Sequence, residues 1–438
     1  MTATALPSQP TVIPGPPGHP LLGSVPALQR DLLGTLMEGF HRHGDVVTYR
    51  IGARWQRLGS DLVAVYHPEG VRHVLTNPQV FGRRTAGFDA LTEMLGEGLL
   101  TSDGDLWKRQ RRTLQPLFTP RRVAGYTDLM TAEAERVVGE GQPGSVVDLH
   151  ELMGRYALRV VGRALFGDEI DDVAPALLRL VPFGSDLSLA RSMQIVRLPL
   201  GVPTPRNRRF RQVSADLYAI VDRILARRSD GDRDDMLSRL HAARDPETGQ
   251  PLSRAEIRDQ VLVFLLAGHE TTAGALTFTL HLLGRHPEIQ ERVATGDSDL
   301  VRAALMEGMR LYPPAHSTER RATADTEIAG YRIRRGTPVL VSPWVTHRHP
   351  EYWPDPERFD PDRFLGDRDR DRPRYTYFPF GGGQRSCIGE HFALLEATVL
   401  LRTLLTRYRV EALDAQLRLT PLITLRPAAP VRAALYPR

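Results

Sequence analysis

The sequence predicts a mainly α-helical protein with small β-sheets, an α+β class, from three observations. Residues 144–244 have the apolar periodicity of amphipathic helices. A helix of about thirty residues follows Ser253, a favoured N-cap residue with Glu256 three positions later to complete a capping box. The β-branched and aromatic segments 46–51 and 62–66 are separated by glycine, serine and aspartate, which is typical of a small sheet.

Composition indicates an ordinary globular protein, because the 438 residues are 41% hydrophobic and 25% charged. Residues 1–30 are rich in proline and glycine and predict an extended N-terminal lead-in, while residues 31–438 are predicted to form a single domain. A formal net charge of only +5 does not favour nucleic acid as a partner. No secretory signal is visible, so a cytoplasmic protein without a membrane anchor is expected.

Local turn and cap signals predict the remaining elements. Pro68 opens one helix, and Leu106 starts another. Residues 82–102 have weak periodicity and several glycines, so they are predicted to be mostly loop. Prolines interrupt the apolar residues 185–208 and predict a break in the helical region. Further strands are predicted at 320–331, at 338–341 and within 417–435.

The only long apolar run covers residues 261–284, and its length is sufficient for a transmembrane helix. It carries His269, Glu270, Thr271 and Thr272 near its middle, however, and a carboxylate in mid-membrane is costly. The interpretation we favour is a helix buried in the core of a large protein.

Cys387 is the only cysteine, so it has no intrachain disulfide partner and cannot form a structural zinc or iron–sulfur site. It can serve as a single axial thiolate to an iron that another group holds. Glycines 381–383 remove every Cβ from one wall of the loop, which suits a flat cofactor. The helix predicted at 390–397 places its N-terminal N–H groups where they stabilise a thiolate. The alternative is a buried structural thiol.

The loop matches the pattern Phe-x-x-Gly-x-Arg-x-Cys-x-Gly at Phe380, Gly383, Arg385, Cys387 and Gly389. This pattern is the haem-ligand signature of the cytochrome P450 family, and the chain resembles that family over essentially its whole length after residue 14. The resemblance implies a cytochrome P450 fold, with haem between the long helix and the cysteine loop.

Four other motifs of the family occur in order: Trp107-x-x-x-Arg111, residues 267–272, Glu307-x-x-Arg310, and Arg320 five positions before Asp325. The resemblance implies that the Glu307–Arg310 pair forms a buried structural network with a later arginine. Spacing from the preceding Tyr-Trp pair favours Arg363 over Arg358 for that role.

The resemblance also implies heme b (iron protoporphyrin IX) as the cofactor, with Cys387 as the ligand of the metal. Glu270 and Thr271 are the implied catalytic residues, which deliver protons. The tryptophan and the three arginines of the implied cofactor site are expected to hold the propionates. The implied cofactor-binding residues are Trp107, Arg111, Ala267, Gly268, Arg320, Phe380, Gly381, Arg385, Cys387 and Gly389.

The function implied by the resemblance is a haem-dependent monooxygenase that inserts one atom of O2 into an apolar C–H bond. No flavin or nicotinamide fingerprint is visible, so electrons from NAD(P)H are expected to arrive through a ferredoxin and a ferredoxin reductase. The expected pocket lining is apolar and allows a terpenoid, fatty acid, steroid or polyketide-like substrate. Its members are Phe88, Leu95, Phe264, Ala267 and Ile423.

Two alternatives are a peroxide-using haem-thiolate enzyme and a non-catalytic haem sensor or carrier. The Glu270–Thr271 pair favours O2 activation over both, because a sensor needs no proton-delivery pair. The redox partner is predicted to dock on a basic face formed by Lys108, Arg109 and Arg112.

Overall fold

The structure is a computed structural model that describes residues 12–52, 61–141, 144–167, 170–194, 197–226 and 235–438. Within these residues the chain is mainly helical, and the predicted α+β class is confirmed. The helices α1 to α17 are Val25–Arg30, Leu32–His43, Pro68–Thr76, Ala86–Leu95, Gly104–Leu114, Pro120–Ala124, Thr127–Glu140, Leu149–Phe166, Ala174–Ser192, Pro205–Ala226, Met236–Ala242, Arg254–Arg285, Pro287–Thr295, Ser298–Leu311, Pro343–Thr346, Asp367–Arg370 and Glu390–Arg407. Short 3-10 helices cover Gln115–Phe118, Pro361–Phe364 and Gly383–Arg385.

The strands are short. They are, as β1 to β12, Val46–Tyr49, Leu62–Val65, Phe81–Gly82, Val146–Asp148, Thr318–Ala322, Thr326–Ile328, Tyr331–Ile333, Pro338–Val341, Tyr408–Ala412, Leu419–Pro421, Leu425–Pro427 and Arg432–Pro437.

The chain divides into two compact units. Unit 1 comprises Met1–Thr85, Ser317–Glu357 and Arg372–Ser386, and unit 2 comprises Ala86–His316, Arg358–Asp371 and Cys387–Arg438. The single domain over residues 31–438 stays a prediction.

Unit 1 contains a five-stranded sheet in the order β1-β2-β8-β5-β3. Strands β2 and β8 pair in parallel, with Val63 opposite Val339, and the other neighbours are antiparallel. Buried valines of α3 and of these strands, among them Val65 and Val71, pack with Phe81 into one core cluster. The β-branched residues thus supply both the strand propensity and the core.

Unit 2 holds most of the helices, with α12 at its centre. Ser253 accepts from the backbone N–H of Glu256, and the Glu256 carboxylate accepts from that of Ser253, which confirms the predicted capping box. The helix has 32 residues and is therefore about 48 Å long. A three-stranded sheet, β4-β12-β9, also belongs to this unit.

The absence of a side chain at one glycine lets a neighbouring helix approach α12 closely. A Cβ on Gly308 of α14 would collide with Thr279 of α12. Glycine at this position lets the backbone of α14 pack against α12 in the segment that also carries Glu307 and Arg310.

Among the described helices, only α12 is long and apolar enough to cross a membrane by length and composition. The protein buries 78% of its most apolar stretch, which is what the core helix of a globular protein shows.

Three segment predictions differ from the structure. Residues 82–102 contain the helix α4, whose buried Leu91, Met94 and Leu95 lie on one face. The proline-broken segment is shorter than 185–208, because α9 continues to Ser192 with Pro182 inside it and α10 starts at Pro205. The lead-in is not extended throughout, since α1 begins at Val25. In each case packing in the folded chain outweighs local propensity.

Candidate active site

Helix α12 has one open stripe near its middle. Most of the helix is buried, but Phe264, Ala267, Gly268 and Thr271 are partly accessible. These positions follow the spacing i, i+3, i+4, i+7 and therefore share one face. The long helix thus presents the central part of the predicted motif along a single accessible strip.

Thr271 and Glu270 have different surroundings, although they are adjacent. The hydroxyl of Thr271 is on the accessible stripe and donates to the carbonyl of Ala267 at 2.6 Å. Glu270 is only 3% exposed, and its Oε1 lies 3.0 Å from Nε of Arg426. Burial raises the pKa of Glu270, and the Arg426 charge opposes that rise. The pair therefore combines a solvent-accessible hydroxyl with an enclosed, ion-paired carboxylate.

Gly268 lies where α12 packs against α8. A Cβ at this position would lie 2.8 Å from a methyl group of Val161 on α8. The missing side chain therefore allows α8 and α12 to pack closely. The role of Gly268 in binding a cofactor stays a prediction.

Cys387 follows the glycine loop immediately, and solvent reaches its side chain. Neighbouring protein atoms nevertheless displace much of the water around its sulfur. These surroundings raise the pKa of the thiol through desolvation. A hydrogen bond from the backbone N–H of Gly389 and the positive charge of Arg111 lower that pKa, while the charge of Glu390 raises it. One N–H donor and one cation thus stabilise the thiolate form that ligates a metal.

Trp107 and Arg111 lie four residues apart on α5 and therefore on the same face, as predicted. Trp107 is buried and Arg111 is half-buried. Burial lowers the pKa of Arg111, and the neighbouring Cys387 opposes this effect. The structure therefore brings Arg111 close enough to Cys387 for their charges to interact.

Four of the predicted cofactor residues belong to unit 1. Arg320 on β5 is 6% exposed and donates to Oγ1 of Thr318 at 3.1 Å and to the carbonyl of Glu319 at 2.8 Å. Phe380 and Arg385 are half-buried, while Gly381 is exposed. Arg385 ends the 3-10 helix Gly383–Arg385.

The three loop glycines have different roles, which corrects the prediction that all of them clear space for a flat cofactor. A Cβ on Gly382 would collide with Tyr375, and one on Gly383 would collide with the carbonyl of Leu75. Gly383 also has a φ of 66°, which an L side chain rarely adopts. Only Gly381, with a φ of 72°, faces open space.

The predicted buried network is present in unit 2. Arg310 donates to both carboxylate oxygens of Glu307, at 2.6 and 2.8 Å, and both side chains are fully buried. Nε of Arg363 lies 3.4 Å from the same carboxylate, so the choice of Arg363 over Arg358 is confirmed. The backbone N–H of Asp360 also donates to Glu307 at 2.9 Å.

The predicted basic docking face is largely neutralised. Arg112 donates to both oxygens of Asp245 at 3.0 Å and lies 3.1 Å from Glu247. The other two members are also ion-paired, Lys108 with Asp105 and Arg109 with Glu256. Arg109 and Arg112 are paired with residues 147 and 133 positions later in the chain, so the prediction from the three cations alone overestimated the positive potential.

One of the five predicted lining residues is placed differently. Leu95 is fully buried within unit 2 and has no accessible surface with which to contact a ligand. Phe88, Phe264, Ala267 and Ile423 are partly accessible. Because 82–102 was predicted as loop, the inward face of α4 was not distinguished from its open face.

Two largely buried ionisable groups were missed. Arg426 on β11, whose side chain is 11% exposed, is the ion-pair partner of Glu270. Glu396 on α17 is fully buried, and its carboxyl group lies near the hydroxyl of Thr272 on α12. Burial raises the pKa of Glu396 well above its ordinary value and so favours the protonated form. A glutamate at a core position of an amphipathic helix was the signal for the second group.

Glu396→Gln is expected to stabilise the protein at alkaline pH. The folded state keeps the proton of Glu396 while the unfolded state releases it above a pKa of about 4.3, so stability is lost as pH rises. The free energy of unfolding falls by about 1.4 kcal/mol for each pH unit until the pKa of Glu396 in the folded state is reached.

Urea midpoints of wild type and variant should coincide near pH 4 to 5 and diverge towards pH 8. The exposed Glu135→Gln is the control. A pH-independent difference would show that Glu396 is ionised when folded.

The geometry of these residues defines a class of protein. A single exposed cysteine, stabilised by an N–H donor and an arginine, suits one bond to one metal. The Trp107 and Arg111 donors suit carboxylate groups. The open stripe of α12 suits a substrate or a flat cofactor face. These residues fit a haem held by one thiolate.

Comparison with known proteins identifies the family. Residues 13–429 match the family Cytochrome P450. Cyclooctat-9-en-7-ol 5-monooxygenase of Streptomyces melanosporofaciens is 38% identical, over 93% of this chain and 92% of that protein. Pentalenene oxygenase of Streptomyces avermitilis is 35% identical, over 95% and 96%. The crystal structure of a 6-coordinated cytochrome P450 from Thermus thermophilus has a TM-score of 0.76 at 32% identity, covering 92% of this chain and 98% of that one.

The chain therefore belongs to the cytochrome P450 family and is a haem-dependent monooxygenase. Enzymes of this family use O2 and electrons from a redox partner, and they act on apolar substrates.

Proposed function

We propose that this monooxygenase hydroxylates a terpenoid. The observation that carries the proposal is the similarity, over more than nine-tenths of the chain, to two enzymes whose names specify oxygenation of cyclooctat-9-en-7-ol and pentalenene. The accessible residues Phe264, Ala267 and Ile423 are apolar, as a hydrocarbon skeleton requires. Among the four substrate classes expected from the sequence, the terpenoid is thus the best supported.

The proposed cofactor is heme b, with Cys387 as its sole protein ligand. When bound, such a thiolate-ligated haem supplies the activation of O2 by favouring cleavage of the O–O bond. Desolvation raises the pKa of the Cys387 thiol, and the N–H of Gly389 and the charge of Arg111 oppose that rise, so both favour the thiolate that would bind the iron. The propionates are assigned to Trp107, Arg111, Arg320 and Arg385, because tryptophan and arginine side chains donate well to carboxylates.

The proposed protein partners are a ferredoxin and its reductase in the cytoplasm. A protein donor is required because the sequence carries no flavin or nicotinamide fingerprint. The ion pairs of Lys108, Arg109 and Arg112 leave no strongly positive patch at those three residues. We therefore assign no docking surface to them.

A spectral screen tests the substrate class. Purified enzyme is titrated with cyclic sesquiterpene and diterpene hydrocarbons and alcohols, and with fatty acids, steroids and macrolides as comparison classes. We expect a saturable shift of the haem absorption band with at least one terpenoid, followed by a hydroxylated product when ferredoxin, reductase and NAD(P)H are present. Saturable binding and turnover confined to another class would replace the terpenoid.

Thr271→Ala is expected to uncouple electron consumption from product formation. The Thr271 hydroxyl donates to the Ala267 carbonyl, so its oxygen is oriented on the open stripe to accept a hydrogen bond from water. We propose that Glu270 supplies the proton and that this water carries it to dioxygen. Product per NAD(P)H should fall at least about tenfold while hydrogen peroxide rises.

The matched control is Thr271→Ser, which removes the methyl group and keeps the hydroxyl. Both variants should retain the substrate-induced spectral shift, because the affinity of an apolar pocket depends little on one methyl and one hydroxyl. Equal coupling in wild type and Thr271→Ala would exclude Thr271 from the proton path and point to Thr272 or a substrate hydroxyl.

A further inference from the structure

The guanidinium of Arg426 connects two carboxylates that lie on different helices of unit 2. Its Nε is 3.0 Å from Oε1 of Glu270 on α12, and its second terminal nitrogen donates to Oδ1 of Asp186 on α9 at 2.9 Å. The same nitrogen is 3.3 Å from the carbonyl of Pro182, also on α9. Arg426 itself is on β11, so three separate elements meet at one buried cation.

The two carboxylates are not equivalent. Glu270 is 3% exposed, whereas the side chain of Asp186 is 49% exposed. Loss of the contact with Arg426 therefore leaves Asp186 hydrated but leaves Glu270 as an uncompensated buried charge. The Glu270 contact is the one that requires the cation.

The other titratable groups near this cluster do not replace Arg426. His150 on α8 and the buried His269 on α12 both have their pKa lowered, first by burial and also by the charge of Arg426. They are neutral at neutral pH and do not compensate a carboxylate. Two charged groups act on Glu270. Arg426 lowers its pKa and favours the ionised carboxylate, whereas Asp186 raises its pKa and disfavours that form.

Helix α9 is less buried than α12. It leads into the segment 193–204, whose described part exposes the apolar residues Met193, Leu198 and Val202. Helix α12 is by contrast buried along most of its length. A displacement of α9 would therefore break the contact between Asp186 and Arg426 before the contact between Glu270 and Arg426.

We propose that Arg426 is a positioning residue that ties the Glu270 carboxylate to helix α9 through Asp186, so that the charge and orientation of Glu270 depend on the place of α9. The link between the helices stands on the contacts above. Its consequence for catalysis rests on the proposed role of Glu270 in proton delivery. When Asp186 separates from Arg426, the guanidinium interacts with Glu270 alone and favours its ionised form. When Arg426 is absent, Glu270 takes up a proton.

The first experiment measures hydrogen exchange of peptides covering residues 174–192 in substrate-free holoenzyme. Arg426→Gln and Asp186→Asn should each accelerate exchange of this helix about tenfold, the effect of losing one charge-assisted hydrogen bond. Arg418→Gln makes the same chemical change at an exposed position just before β10 and should leave the exchange unchanged. Wild-type exchange of 174–192 in both test variants would overturn the link. Because Asp186 is on the surface, Asp186→Asn also decides the question if Arg426→Gln does not fold.

The second experiment measures product per NAD(P)H as a function of pH, with the terpenoid that gives the largest spectral shift in the screen. Arg426→Gln should move the profile to higher pH, and Asp186→Asn should move it to lower pH, by about half a pH unit or more. The two shifts of the pH profile should have opposite directions, because one variant removes the shared cation and the other removes the second carboxylate. Shifts in the same direction would overturn the shared-cation arrangement. If Glu270→Gln leaves coupling unchanged, the proton-delivery role fails, while the exchange result still decides the link.

Discussion

Replacing Cys387 by alanine is expected to abolish the thiolate-type absorption of the reduced, carbon-monoxide-bound enzyme completely. Cys387 is the only cysteine in the chain, so no other thiol can replace it. Its sulfur is exposed, and both Arg111 and the N–H of Gly389 favour its ionised form. Removing the sulfur removes the whole interaction between protein and metal, and monooxygenase activity should disappear with it.

The control for this experiment is His391→Ala, which changes an exposed residue on α17 and should keep the spectrum. Haem content and circular dichroism of Cys387→Ala separate loss of the ligand from loss of the fold. A Cys387→Ala protein that keeps the wild-type spectrum would falsify the assignment of Cys387 as the metal ligand.

Arg310→Met is expected to destabilise the protein by about 3 to 5 kcal/mol, the usual cost of breaking a buried ion pair at one partner. Arg310 and Glu307 are fully buried, and the arginine supplies two hydrogen bonds to the carboxylate. Burial already raises the pKa of Glu307, and Arg310 is the largest influence against it. Without Arg310, only Arg363 and the N–H of Asp360 remain to compensate the carboxylate.

Urea unfolding monitored by circular dichroism measures this loss. Arg358→Met is the matched control, because the Arg358 side chain is exposed and only its backbone carbonyl accepts from Arg310. That control should change stability by no more than about 0.5 kcal/mol. Combining Arg310→Met with Glu307→Leu should recover part of the lost stability, since the buried carboxylate is then removed together with its main partner. Equal effects of Arg310→Met and Arg358→Met would contradict a structural role for the network.

The sequence by itself determined the features that depend on local signals. The start of α12 followed from a capping box confined to four consecutive residues, Ser253 to Glu256. The helix after the cysteine loop and the strand Pro338–Val341 followed from periodicity and β-propensity. The family followed from one loop signature whose spacing is contiguous, and the comparisons confirmed it.

The tertiary structure decided the features that depend on partners distant in the chain. The roles of Gly268 and Gly382 depend on Val161 and Tyr375, which no local pattern connects to them. The neutralisation of Arg112 depends on Asp245, 133 residues later.

The partner of Glu270 was also hidden from the sequence, because Arg426 lies more than 150 residues away on a short strand. Capping and propensity act within a few residues, whereas burial, close packing and charge pairing act between whichever side chains the fold brings together. For this reason the motif located the carboxylate, and only the folded chain showed which cation compensates its charge.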